Sequence, residues 1–407
     1  MTLYIGFFLH IYQPPTQKPE ILKKICKESY EPLIQLLLEN PNVKITLNIN
    51  GSLVELLNFY QEYSILNGIQ TLVERKQIEL VGSSCYHAIL PLIPKEEIIR
   101  QIELNEEIQC KILGENIFQP SGFWLPEMAY EFGVIGPLIE KGYKWTVISS
   151  VATTNGDLPE NYIPYVDEGF QIYFRNDLLS NFISFKHPTV EQLYKQMTLK
   201  KDITKNDYYV ILAMDGETFG HHVKGLIESL LKPLIVKVEN NSKLDFVKIS
   251  DLPEIFKEKK KVSPVPSSWS TSAEDLLKGV PFPLWADPEN KIHDLQKTIM
   301  NHAVFLIGLA QKYYNNTQKV TKDVQTRFLN ARSWLDKGLH SCQLWWASGK
   351  PWYSSEMILK GLNQLILASA EALKVVLLNS PNNLDKEKAM KIFDEIFNAQ
   401  KEIFLLV

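Results

Sequence analysis

Residues 208–222 read Tyr-Tyr-Val-Ile-Leu-Ala-Met-Asp-Gly-Glu-Thr-Phe-Gly-His-His. Apolar and aromatic side chains follow one another without alternation from Tyr208 to Met214. That is the pattern of a strand covered on both faces, as in a parallel sheet or barrel. Asp215, Glu217, His221 and His222 follow at once. Gly216 and Gly220 let the backbone turn sharply and leave room for a ligand. A carboxyl at the end of such a strand is partly desolvated, which raises its pKa and suits a group that must donate a proton near neutrality. The plainer alternative is an N-cap aspartate with surface histidines, and the polar density after a buried strand argues against it.

The same pattern repeats on either side. Strands are expected at 3–9, 43–48, 78–82, 122–124, 145–149, 171–174, 208–214 and 246–249. Helices are expected at 19–39, 53–75, 95–113, 132–141, 190–199 and 223–238. This alternation predicts an α/β barrel or a doubly wound sheet. In both, chemistry gathers beyond the C-terminal strand ends. His10, His87, Glu127 and Asp215 all fall at such positions.

Glu127 closes Gly122-Phe-Trp-Leu-Pro-Glu127. Pro126 restricts the backbone there, and Trp124 offers a flat face for a sugar ring. The plain reading is a salt-bridged loop glutamate beside a core tryptophan. Glu127 and Asp215 together match glycoside chemistry, in which one carboxyl protonates the leaving oxygen and another stabilises or captures the anomeric carbon. Carboxyl groups about 5–5.5 Å apart retain configuration and those roughly 6.5–9.5 Å apart invert it. His10, His87, Asp215, His221 and His222 raise a metal alternative, but their spacing gives no compact ligand pair, and no metal or other cofactor is expected.

The 407 residues are 45% hydrophobic and 22% charged, with a formal charge of −4. This is ordinary globular composition, with no electrostatic case for nucleic acid or an acidic membrane. No stretch reads as the roughly 20 apolar residues that a membrane span needs. The first residues read as a buried strand rather than a signal peptide. Cys26, Cys85, Cys110 and Cys342 are scattered and read as small buried residues, which suits a reducing cytoplasm.

The character changes near residue 260. Lys257–Lys261 reads as a solvated helix end, and residues 263–272 as an ordered loop carrying Trp269, a candidate sugar contact. After Asp287 the periodicity is helical at 291–314, 322–348, 355–378 and 386–404, a bundle of about four helices. Trp334, Trp345 and Trp346 read as interface core. The expected division is a barrel over 1–288 and a helical domain over 289–407.

These motifs resemble glycoside hydrolase family 57, the α-amylase, 4-α-glucanotransferase and branching-enzyme family. Trp124-Leu-Pro-Glu127 is similar to its nucleophile segment, and Asp215-Gly-Glu217 to its acid/base segment. His10-Ile-Tyr-Gln-Pro14 looks like its early His-x-His-Gln-Pro motif, with Tyr12 in place of the second histidine. Gly51-Ser-Leu-Val-Glu55, Tyr86-His87 and Arg175 resemble further family segments. The resemblance implies a distorted (β/α)7 barrel followed by a helical domain, and a retaining attack by Glu127 with Asp215 as acid/base. It implies sugar contacts from His10, Gln13, His87, Trp124, Arg175, Glu217, His222 and Trp269, and an α-glucan or maltooligosaccharide substrate. The alternatives are a glucanotransferase or branching enzyme of the same family, a non-catalytic glucan-binding protein on the same barrel, and a metal-dependent deacetylase or mannosidase. Oligomeric state stays open.

Overall fold

The computed structural model describes residues 2–153, 158–199, 206–316 and 320–407. Two compact units emerge: residues 1–85 with 90–269, and residues 86–89 with 270–407. The division expected at 288/289 falls inside the second unit.

The first unit contains β1 (Leu3–Ile11), β2 (Ile45–Ile49), β3 (Ile78–Ser83), β4 (Gly122–Trp124), β5 (Trp145–Ser149), β6 (Ile163–Tyr165), β7 (Gln171–Arg175), β8 (Tyr208–Asp215), β9 (Leu244–Val247) and β10 (Lys259–Lys261). The sheet runs β10-β6-β7-β5-β4-β3-β2-β1-β8. The seven strands from β7 to β8 in that order are mutually parallel. At the open side Asn176 N–H donates to Ile211 O at 2.9 Å, and Arg175 Nε donates to Ala213 O at 2.7 Å. The result is the expected distorted seven-stranded α/β barrel. β9 shares an edge of β1 with β2: it pairs Leu3–Gly6, and β2 pairs Phe8–Ile11.

Period-two alternation sorts each strand between two cores. Phe8, Tyr209, Ile211, Ala213, Val147 and Tyr173 pack inside the barrel. Phe7, Leu9, Ile11, Val210, Leu212 and Met214 pack outward beneath the helices. The same parity carries His10, Arg175 and Asp215 inward at the strand ends. His10 and Asp215 are partners in the β1–β8 register. Beyond β2 and β3 the backbone is fastened by a buried amide stripe on the helix Lys95–Leu113. Asn105 Oδ1 accepts from Gly51 N–H at 2.8 Å, and Gln101 Oε1 accepts from Ser84 Oγ at 3.2 Å.

Lys259–Lys261 is not a helix end but a short exposed strand beside β6, where lysines keep a sheet edge from recruiting other chains. The helix expected over 53–75 is two helices, Gly51–Phe59 and Tyr63–Glu74. The helix Asp177–Lys186 carried no sequence expectation. Residues 19–39 are helical throughout, but Cys26–Tyr30 forms a π-turn.

The second unit holds the long helices Lys291–Asn316, Lys322–Gly338, Ser355–Asn379 and Asn383–Leu406, with the short helix Cys342–Ala347. The stretch expected as one helix over 322–348 breaks at residues 339–341. Contrary to the sequence reading, Ser355–Asn379 is long and apolar enough to cross a membrane, with an 18-residue window of mean hydropathy 1.4. Half of that window is buried, and Leu362, Leu365, Ala368, Ala372 and Val376 lie in the protein interior, as in a core helix. Trp334, expected as interface core, is 37% exposed.

Candidate active site

Glu127 follows β4 on a backbone few side chains adopt. Its φ is +59° and that of Met128 is +50°. Such conformations cost on the order of 1–3 kcal/mol each and persist only where the surroundings over-determine them. Here the loop carrying Trp269 supplies that constraint. Tyr130 N–H donates to Ser267 O at 2.8 Å, Ser267 N–H returns to Tyr130 O at 3.1 Å, and Trp269 N–H donates to Glu127 O at 3.1 Å. The Trp269 indole N–H then donates to Glu127 Oε2 at 2.9 Å.

Trp269 leads on to the other residues. Its ring stands edge-on to Trp124, centroids 5.5 Å apart, and 5.8 Å from the Arg175 guanidinium carbon. Trp124 stacks on His10 at 4.6 Å and 12°. His10 Nδ1 meets Asn48 Oδ1 at 2.7 Å. Burial lowers its pKa from 6.5 to about 4, so the imidazole is neutral at physiological pH. Arg175 is held by Ala213 O, by Asp177 Oδ1 at 2.5 Å and by Asn181 Oδ1 at 2.8 Å. Asp177 in turn accepts from the hydroxyls of Ser149 and Ser150, each at 2.6 Å. The guanidinium is therefore fixed in place with its charge felt at Asp215.

Asp215, half-buried at the end of β8, is raised from 3.8 to about 6 by desolvation, against the lowering effect of Arg175. Glu217 is buried and rises to about 8, through desolvation first and the charge of Asp215 second. This happens even though Glu217 Oε1 accepts from Tyr30 O–H, Gln13 Nε2 at 3.0 Å and Tyr12 N–H at 3.4 Å. Each donor favours the carboxylate, so burial outweighs them. The two carboxyls share one electrostatic environment and titrate as a pair.

Of the residues singled out in the sequence, the structure links His10, Trp124, Glu127, Arg175, Asp215 and Trp269 in one chain of contacts, and Gln13 to Glu217. His222 is exposed; its N–H donates to Glu217 O at 2.8 Å. His221 and His222 lie on a turn with ring centroids 5.5 Å apart, not on an extended segment. His87 belongs to the second unit, where its Nδ1 meets Ser341 Oγ at 2.8 Å. Sequence reasoning passed over Asn48, Tyr30 and Asp177. Asp177 stands two residues after Arg175, whereas Tyr30 sits mid-helix and carried no signal. Among the described residues no group of three or more His, Cys, Asp or Glu side chains is arranged to hold a metal ion.

The family model for glycosyl hydrolase family 57 matches residues 8–265. An α-amylase of Pyrococcus horikoshii is 27% identical over 265 residues, covering 62% of this chain and 40% of that protein. A 4-α-glucanotransferase of Thermococcus litoralis is 26% identical over 220 residues, covering 53% of this chain and 32% of that protein. The chain thus spans about a third to two fifths of the length of these curated relatives. The fold extends further. A family 57 branching enzyme of Thermococcus kodakaraensis, solved with glucose and additives, superposes with a TM-score of 0.72 at 14% identity, covering 97% of this chain and 95% of that one. With the family's match running from within β1 to just past β10 and spanning both carboxylate segments, the chain belongs to glycosyl hydrolase family 57.

Proposed function

We propose that this protein cleaves α-glucosidic bonds in α-glucans by a retaining two-step mechanism, with Glu127 as nucleophile and Asp215 as acid/base. The observation that carries this reading is the opposite treatment of the two carboxyls. Glu127 accepts an indole N–H, a partner suited to an anion, while burial keeps Asp215 protonated to about pH 6. In the first step Asp215 gives its proton to the leaving oxygen as Glu127 bonds to the anomeric carbon. In the second, Asp215 takes a proton from water or an acceptor sugar, which displaces Glu127. His10 and Trp124 are buried and stacked on one another, a neutral aromatic support behind the residues that meet the sugar.

The identity of the acceptor separates an α-amylase from a transferase, and relatives of both kinds match this chain. Incubation with maltoheptaose decides it. Hydrolysis yields only shorter products, and transfer also yields longer ones. Binding with no product at all would leave a non-catalytic glucan-binding protein and overturn the proposal.

A further inference from the structure

The helix over residues 19–39 is widened where sequence reasoning assigned no role. Cys26–Tyr30 is a π-turn, closed by Glu31 N–H to Cys26 O. Its cause is local. Pro32 has no N–H to offer Glu28 O, and in α geometry its ring would press on that carbonyl. The π-turn Ile227–Leu231 stands in the same relation to Pro233, with Lys232 N–H bonded to Ile227 O.

The first π-turn presents three consecutive side chains to one loop. Glu28 Oε2 meets His221 Nδ1 at 2.7 Å. Ser29 Oγ–H donates to Gly216 O at 3.0 Å. Tyr30 O–H donates to Glu217 Oε1. The Glu28 carbonyl presses on Gly220, whose φ is +110°, and a Cβ there would stand 1.9 Å from that oxygen. Ser29 and Tyr30 are buried. The loop so gripped, 216–221, begins at the residue after Asp215. π-turns occur often at functional sites because they redirect side chains without ending a helix.

We propose that the π-turn Cys26–Tyr30 is a positioning element for Asp215, with Tyr30 its principal residue, acting through Glu217. The proposal rests on the reading of Asp215 as acid/base. Tyr30 performs no proton transfer on substrate. It fixes Glu217, and with Ser29 it fixes the turn from which the Asp215 carboxyl approaches the leaving oxygen.

Tyr30→Phe keeps the ring and removes the O–H. With maltoheptaose, kcat should fall about tenfold, the worth of one well-placed hydrogen bond, while KM stays within about twofold. With α-maltosyl fluoride, whose fluoride departs without a proton from Asp215, kcat/KM should stay near wild type. Glu217→Gln combined with Tyr30→Phe should be no worse than Glu217→Gln alone, since both act on one contact. Ser29→Ala supplies the same two-substrate comparison if Tyr30→Phe does not fold. Equal losses on both substrates, or wild-type rates in both variants, overturn the positioning role. Asp215→Asn run alongside tells the two ideas apart. If it is inactive on maltoheptaose while Tyr30→Phe and Ser29→Ala are unaffected, the acid/base reading stands and the π-turn proposal falls. If Asp215→Asn keeps the wild-type rate, the acid/base reading falls first.

Discussion

The two carboxylate loops solve opposite problems by opposite means. The Glu127 loop stores backbone strain, with two consecutive left-handed residues, and is tied to the Trp269 loop by backbone bonds and one indole N–H. The Asp215 loop begins at an extended residue with φ −61° and ψ 134°, and its special character is electrostatic. Desolvation and a second buried acid two residues away set its proton affinity. A nucleophile needs an aimed oxygen that stays charged. A proton donor needs an environment that resists charge. Geometry serves the first and burial the second.

The largest test of this contrast replaces one carboxyl at a time. Glu127→Gln and Asp215→Asn should each lower maltoheptaose turnover by about a thousandfold or more. They should then diverge with α-maltosyl fluoride. Asp215→Asn should accumulate a maltosyl-enzyme visible by intact-protein mass spectrometry, because formation needs no acid while breakdown needs a base. Glu127→Gln should form none. Adduct on Glu127→Gln would break the assignment of roles.

A smaller effect concerns Arg175. Its charge lowers the pKa of Asp215, so Arg175→Gln should let Asp215 hold its proton longer. The alkaline limb of kcat/KM, expected near pH 6 in the wild type, should move up by about one unit. A limb that stays put or moves down contradicts the electrostatic account.

The smallest effect is on stability. A folded-state pKa raised from 3.8 to about 6 means that the native protein binds more protons than the unfolded chain across that interval. Stability therefore falls as pH rises through it. Asp215→Asn should remove the penalty and raise Tm by about a few degrees above pH 6. Below pH 3.8, where both states of the wild type are protonated, the gain should vanish. A gain of equal size at both pH values would point to packing instead.

The strand pattern was legible because hydrophobic periodicity is a local property. All eight expected strands are present, and continuous apolar runs such as 208–214 marked strands covered on both faces, while the family resemblance chose a barrel over a doubly wound sheet. β6 and β10 were not legible. Ile163–Tyr165 is only three residues long, and Lys259–Lys261 is a lysine run whose strand character comes from its neighbour. Glu127 and Asp215 stood out by their place after strands. Asn48 and Tyr30 did not, because their parts depend on residues far away in sequence.

The sequence by itself determined the alternating strands and helices, the helical tail, the family motifs and the two carboxyls, since each is written in a short segment whose pattern needs no distant partner. It also contained Pro32, which is sufficient to disturb a helix. Only the tertiary structure decided that the disturbance faces the Asp215 loop, that Trp269 holds Glu127 as well as lying near the aromatic stack, and that Asp215 and Glu217 are both driven toward their neutral forms. Those outcomes depend on which groups exclude water from one another, and that is settled only when distant strands and helices meet.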